Sequence, residues 1–119
     1  MKTTLIIGAS TNPERESYLA LHRLQHHGHK VYALGNKTGK VDGVKIFSEK
    51  TEFPNVHTVT IYLNPANQKE YYDYILSLKP ERIIFNPGAE NAEFEKILSD
   101  QGFEVLEACT LVMLSIGSY

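Results

Sequence analysis

Cysteine is almost missing from this chain of 119 residues: Cys109 stands alone. No internal disulfide can form, and a single thiol suits a reducing cytoplasm. An excess of charge is missing too. Lys and Arg number 12 against 14 Asp and Glu, leaving a net charge of −2, which gives no basic face for nonspecific nucleic-acid binding. No apolar run reaches membrane-spanning length. Met1-Lys2-Thr3-Thr4 leads straight into an apolar stretch, without the zones of a signal peptide. Repeats, linkers and low-complexity segments are also lacking. These absences leave the expectation of one soluble cytoplasmic domain over residues 1–119, with 42% hydrophobic and 22% charged residues, large enough to bury a core and too small to add a catalytic partner domain.

What is present alternates. Short apolar runs at 4–8, 30–34, 56–63, 82–85 and 103–106 read as strands, separated by segments with helical spacing. Tyr18, Leu21 and Leu24 mark the first helix, which ends at Gly28. It can begin at Asn12 with Pro13 or at Ser17, and Ser17 is favoured because it leaves residues 10–16 as a loop. Asn64-Pro65 opens a second helix that Pro80 ends, and Asn91 caps a third that stops at Gly102. Thr110 is the expected cap of a short C-terminal helix. Asp42-Gly43 signals a turn, after which Ile46-Phe47 returns to the sheet edge. Thr58, Thr60 and Tyr62 alternating with Val59, Ile61 and Leu63 suggest that the third strand is a half-exposed edge. The expected fold class is α/β, a doubly wound parallel sheet of five strands in the order 3-2-1-4-5.

The first strand runs into Gly8-Ala9-Ser10-Thr11-Asn12-Pro13. Two readings stand for this loop: a tight βα turn, or an anion site where backbone amides and a helix start favour phosphate. The full G-x-G-x-x-G spacing is lacking. The second strand exits through Gly35-Asn36-Lys37 with no acid before Asp42, whereas an NAD site wants an acid for the ribose 2′-hydroxyl. Lys37 and Lys40 would suit a phosphorylated ribose, that of NADP or of coenzyme A, and a solvated loop is the plainer reading. Asn86-Pro87-Gly88-Ala89-Glu90-Asn91 is a second loop at a strand's carboxyl end, where Asn86 offers a donor and an acceptor. His26-His27-Gly28-His29 lacks the spacing and the accompanying acid or cysteine of a zinc site and reads as solvated histidines. Cys109 has no histidine near it in sequence and reads as structural.

Gly8 to Arg15 with Ser17-Tyr18, Asn86 to Asn91, and Glu107-Ala108-Cys109-Thr110 together resemble the small stand-alone CoA-binding domain proteins. That resemblance runs over nearly the whole chain. It implies the Rossmann-like, three-layer αβα domain that also supplies the coenzyme A site of succinyl-CoA synthetase and the NDP-forming acyl-CoA synthetases. It implies that Gly8, Ala9, Ser10, Thr11 and Asn12 hold the pyrophosphate with help from Arg15. Gly35, Asn36 and Lys37 would lie beside the phosphorylated ribose, and Tyr62, Asn64 and Pro65 near the adenine. Ser17, Tyr18, Asn86, Pro87 and Gly88 complete the expected contacts. The synthetases add a phosphohistidine-bearing domain and an ATP-grasp domain that this chain lacks, so their catalysis does not carry over.

Three functions follow as expectations. The first is a module that binds coenzyme A or an acyl-CoA without chemistry of its own. The second is an NADP-using or Cys109-based redox protein. The third is a regulatory protein, a homodimer or a partner's ligand, using the tyrosine-rich helix at 71–78 as its surface.

Overall fold

The computed structural model describes residues 1–119. The chain folds as β1 (Thr4–Ile7), α1 (Glu16–His26), β2 (Val31–Leu34), β3 (Gly39–Val41), β4 (Val44–Phe47), β5 (Thr58–Ile61), α2 (Pro65–Gln68), a 3₁₀ turn (Lys69–Tyr71), α3 (Tyr72–Leu78), β6 (Arg82–Phe85), α4 (Ala92–Asp100), β7 (Glu104–Glu107) and α5 (Thr110–Ser115). The strands form one seven-stranded sheet in the order β3-β4-β2-β1-β5-β6-β7. All pairings are parallel except β3 with β4.

The α/β layering matches the expectation, but the count of five strands and the order 3-2-1-4-5 do not. The Asp42-Gly43 turn closes a whole hairpin: Asp42 has φ 50 and Gly43 φ 80, the left-handed pair that a two-residue hairpin turn needs. That hairpin adds β3 and β4 outside β2. The 56–63 segment is not an edge either. Its core, β5, lies between β1 and β6, with Ile7 level with Ile61 and Ile61 level with Phe85.

The alternating threonines misled because their hydroxyls are paired inside the protein. The Thr58 hydroxyl accepts from Arg82 Nε at 2.7 Å, and Thr60 takes Asn86 Nδ2 at 2.6 Å and pairs with Thr110 Oγ1 at 2.8 Å. Both threonines are fully buried. The half-exposed edges are β3 and β7.

Two cores follow from the strand alternation. Leu5, Ile7, Val59, Ile61, Ile83 and Phe85 face Ile75 of α3 and Phe94 and Leu98 of α4. Ile6, Ala33 and Ile46 face Leu21 and Leu24 of α1 and Leu114 of α5. Between β4 and β5 no helix forms. Phe53 fills that place, stacked on Tyr32 at 4.6 Å and edge-on to Phe47 at 5.2 Å.

Helix ends hold small surprises. The first helix begins at Glu16, one residue before the expected Ser17, and Asn91 caps α4 by accepting from Phe94 N–H at 3.1 Å. Cys109, not Thr110, occupies the cap position of α5. Thr110 is the first helical residue, and its amide donates to Asn86 Oδ1 at 2.9 Å, so the cap comes from another element. No helix is long and apolar enough to cross a membrane.

Candidate functional site: a cleft at the carboxyl ends of the strands

From β1 the chain passes first to β2 on one side and later to β5 on the other. The crevice above that reversal is where open α/β sheets take ligands. A cleft of about 710 Å³ lies there, a size suited to a nucleotide-class ligand.

Its floor is backbone in close approach. Gly8 has φ +96, and a Cβ there would sit 3.1 Å from the Tyr62 carbonyl carbon. A Cβ on Gly35 would overlap the Ala9 carbonyl oxygen. These contacts seat the exits of β1, β2 and β5 against each other. They also engage amides expected to face a phosphate: Gly8 and Ala9 N–H both donate to the Leu34 carbonyl, at 2.9 and 3.0 Å, and Gly35 N–H donates to Phe47 at 2.9 Å.

The loop amides left without any acceptor come further along, at Ser10, Thr11, Glu16 and Ser17. The loop between them is held by its own side chains. Ser10 Oγ accepts from Asn12 N–H and Asn12 Oδ1 from Glu14 N–H, both at 3.0 Å. Of the residues expected in the opening loop, Gly8, Ala9, Ser10, Arg15 and Ser17 line the cleft. Thr11 and Asn12 are exposed outside it, and Thr11 packs toward Gly39. Tyr18 turns away, its ring 4.8 Å from that of His22.

From the β2 exit, Gly35 and Asn36 line the cleft and Lys37 does not. From β5, Tyr62 and Asn64 line it, while Pro65 is the first residue of α2 and lies outside. The Tyr62 hydroxyl is buried with no hydrogen-bond partner, and burial pushes its pKa well up. From the second loop, Pro87 and Gly88 line the cleft. Asn86 is 1% exposed, and its amide is fully engaged with Thr60, the Ile61 carbonyl and Thr110 N–H. Its donor and acceptor hold the loop and face no ligand.

The charge lining differs from expectation. Arg15 is the one cation, and Glu14, Glu16 and Glu70 are carboxylates. The positive potential in the cleft therefore comes from Arg15, the unengaged amides and the N-terminal end of α1. Neither cysteine nor histidine lines the cleft, and no group of three or more metal-type side chains occurs in the fold.

Asn67, Glu70 and Tyr71 were missed. Their spacing from the cap Asn64 puts them on the helical face that looks back over the strand ends, a signal present in the sequence. Leu63 and Ala89 were missed because apolar residues next to a turn carry no chemical mark. Of the tyrosines at 71–78, Tyr71 lines the cleft, whereas Tyr72 and Tyr74 are packing residues. Tyr72 stacks on Phe94 at 4.0 Å, and the Tyr74 hydroxyl donates to the Thr51 carbonyl at 2.6 Å.

An open α/β sheet with a nucleotide-sized cleft at its switch point and amides free at a helix start defines a ligand-binding domain of the Rossmann-like class. The chain belongs to the CoA-binding domain family, which matches residues 2–115. It is similar to a crystal structure described only as an uncharacterized protein, at 53% identity, covering 100% of this chain and 98% of that one with a TM-score of 0.97. A hypothetical protein from Pyrococcus horikoshii OT3 shares the fold at 23% identity, 97% and 82% coverage and a TM-score of 0.87. A Thermus thermophilus structure does so at 21% identity, 99% and 90% coverage and 0.86. No curated protein matches the chain.

Proposed function

We propose that the chain binds coenzyme A, free or acylated, in this cleft, and that it holds the ligand without transforming it. The carrying observation is the set of amides at Ser10, Glu16 and Ser17 that bond no backbone carbonyl, placed beside Arg15 in a chain of the CoA-binding domain family. A pyrophosphate accepts such donors in charge-assisted bonds. The pyrophosphate would sit over Ser10, Arg15 and Ser17, with Thr11 and Asn12 shaping the loop from outside. The ribose phosphate would lie at Gly35 and Asn36, reached from solvent by the exposed Lys37. The adenine would lie toward Asn64 and Tyr71, and the pantetheine arm would leave past Pro87 and Gly88. The cytoplasm, with its reduced thiols and its coenzyme A, suits this role and the single free cysteine.

Calorimetric titration with coenzyme A, dephospho-coenzyme A and NADP tests the proposal. Coenzyme A is expected to bind most tightly, and Arg15→Ala to weaken it about tenfold or more. A wild-type protein that binds none of the three overturns the proposal. Equal affinity for coenzyme A and its dephospho form removes Lys37 from it.

A further inference from the structure

Gln68, which no wall of the cleft includes, ties two of those walls together. It is the last residue of α2 and is 1% exposed. Its side-chain amide donates to the Leu63 carbonyl at 2.8 Å and to the Ala89 carbonyl at 2.7 Å. Its Oε1 accepts from Asn91 Nδ2 at 2.9 Å. Asn91 Nδ2 also reaches the Tyr72 hydroxyl at 2.8 Å, and Asn91 Oδ1 caps α4. Both donors and the carbonyl of a fully buried glutamine are thus satisfied, by groups from two separate chain segments.

Leu63 and Ala89 line the cleft from opposite sides of the β5–β6 seam. The sheet ladder between those strands ends at Ile61 and Phe85. Beyond it, Asn86 makes the last contacts, to Ile61 and Thr60, and the cleft-lining residues themselves lie further out. There the chain has no repeating hydrogen bonds to fix the gap between the Leu63–Asn67 wall and the Pro87–Ala89 wall. Gln68 supplies that span.

We propose that Gln68 is a positioning residue: it sets the separation of the two cleft walls and so the affinity of the ligand, without touching the ligand. This rests on the cleft being the coenzyme A site. The test compares wild type with Gln68→Met, which keeps the side chain's length and removes all three bonds, and Gln68→Glu, which keeps an acceptor and removes both donors. Thr58→Val serves as the control. It is equally buried at the far end of the sheet and withdraws the acceptor of Arg82 Nε.

Two readouts are taken well below the melting temperature: the coenzyme A dissociation constant, and amide exchange at Asn67, Gly88 and Ala89 in the ligand-free protein. Both Gln68 variants are expected to weaken binding about tenfold, the worth of one buried hydrogen bond, and to speed exchange at all three amides. Thr58→Val is expected to lower the melting temperature and change neither readout. Unchanged exchange in folded Gln68 variants overturns the proposal, as does faster exchange with unchanged affinity. If wild type binds no coenzyme A, the ligand assignment fails while the exchange comparison still decides whether Gln68 spans the walls. If both Gln68 variants fail to fold and Thr58→Val folds, Gln68 is part of the folding core and the positioning role is overturned.

Discussion

At the carboxyl ends of the strands Arg15 stands exposed beside amides that bond no carbonyl, whereas at the amino ends Arg82 is only 6% exposed. Arg82 donates through Nε to Thr58, lies with its guanidinium carbon 4.3 Å from the centre of the Tyr119 ring, and keeps a buried Nη2 with no partner. Tyr119 in turn hydrogen-bonds Thr4 and packs against His29 at 5.0 Å. Both ends carry an arginine, but only one leaves its charge available. The amino end uses its cation as packing and is closed by Tyr119. The carboxyl end leaves its donors open because the floor beneath them is already held by glycine contacts. A positive side chain alone therefore marks no anion site in this fold, and the proposed site rests on exposure beside unengaged amides.

Substituting Gly35 gives the largest expected effect and separates framework from ligand groups at the carboxyl end. A Cβ there meets the Ala9 carbonyl oxygen, a backbone atom that cannot rotate away. Gly35→Val is expected to cost about 3 kcal/mol by urea denaturation, as overpacking of a fixed backbone does, and to abolish coenzyme A binding. A stable Gly35→Val protein that still binds would show that the close approach of β1 and β2 is not what shapes the floor.

Next come the two arginines exchanged in role. Arg82→Ala is expected to lower stability by about 2 kcal/mol, through lost packing on Tyr119 and the lost bond to the Thr58 hydroxyl, and to leave ligand affinity alone. Arg15→Ala is expected to do the reverse, moving stability by less than about 0.5 kcal/mol while weakening binding. If both variants move both quantities, the two ends are coupled and the contrast drawn between them is broken. Tyr119→Phe is a smaller cut at the closed end. Losing the bond to Thr4 should cost about 1 kcal/mol in denaturation and nothing in affinity.

This contrast marks what could be read in advance. The opening loop, the caps at Asn64 and Asn91 and the β/α alternation were legible because each is written locally, as a glycine after an apolar run or an Asn-Pro at a helix start. The place of β5 was not, since Thr58 and Thr60 look like a solvated face until Arg82, Asn86 and Thr110 are brought to them from distant parts of the chain. Asn86 was expected to offer its donor and acceptor to a ligand, but both are taken up inside the protein. Its two hydrogen-bonding ends satisfy β5 and α5, something no single stretch reveals. The same holds for the amides: Gly8 and Ala9 have the right local form for a phosphate loop, and only the parallel β2 beside them shows that Leu34 already holds both.

The smallest expected effect is one of pH, and its histidine part belongs to the closed end. Burial foremost, then the N-terminal amine and the cations Lys2, His27 and Arg82, lower the pKa of His29 from its ordinary 6.5. Burial also lowers that of His57, and it outweighs the opposing pull of Glu81. His29 Nδ1 accepts from Lys2 N–H at 2.9 Å, a bond that a proton on that nitrogen would remove. The folded chain therefore binds protons at these sites less readily than the unfolded chain does. Stability is full above the ordinary value of 6.5 and falls as the pH drops through it toward the lowered folded values. Thermal melts from about pH 7.5 down to about pH 5 should show this decline in wild type and a shallower one in a His29→Gln, His57→Gln protein. An equal decline in both proteins would move the pH sensitivity away from the amino end. Coenzyme A affinity measured over the same range, at a temperature where the protein stays folded, should not follow the histidines, since no histidine lines the cleft.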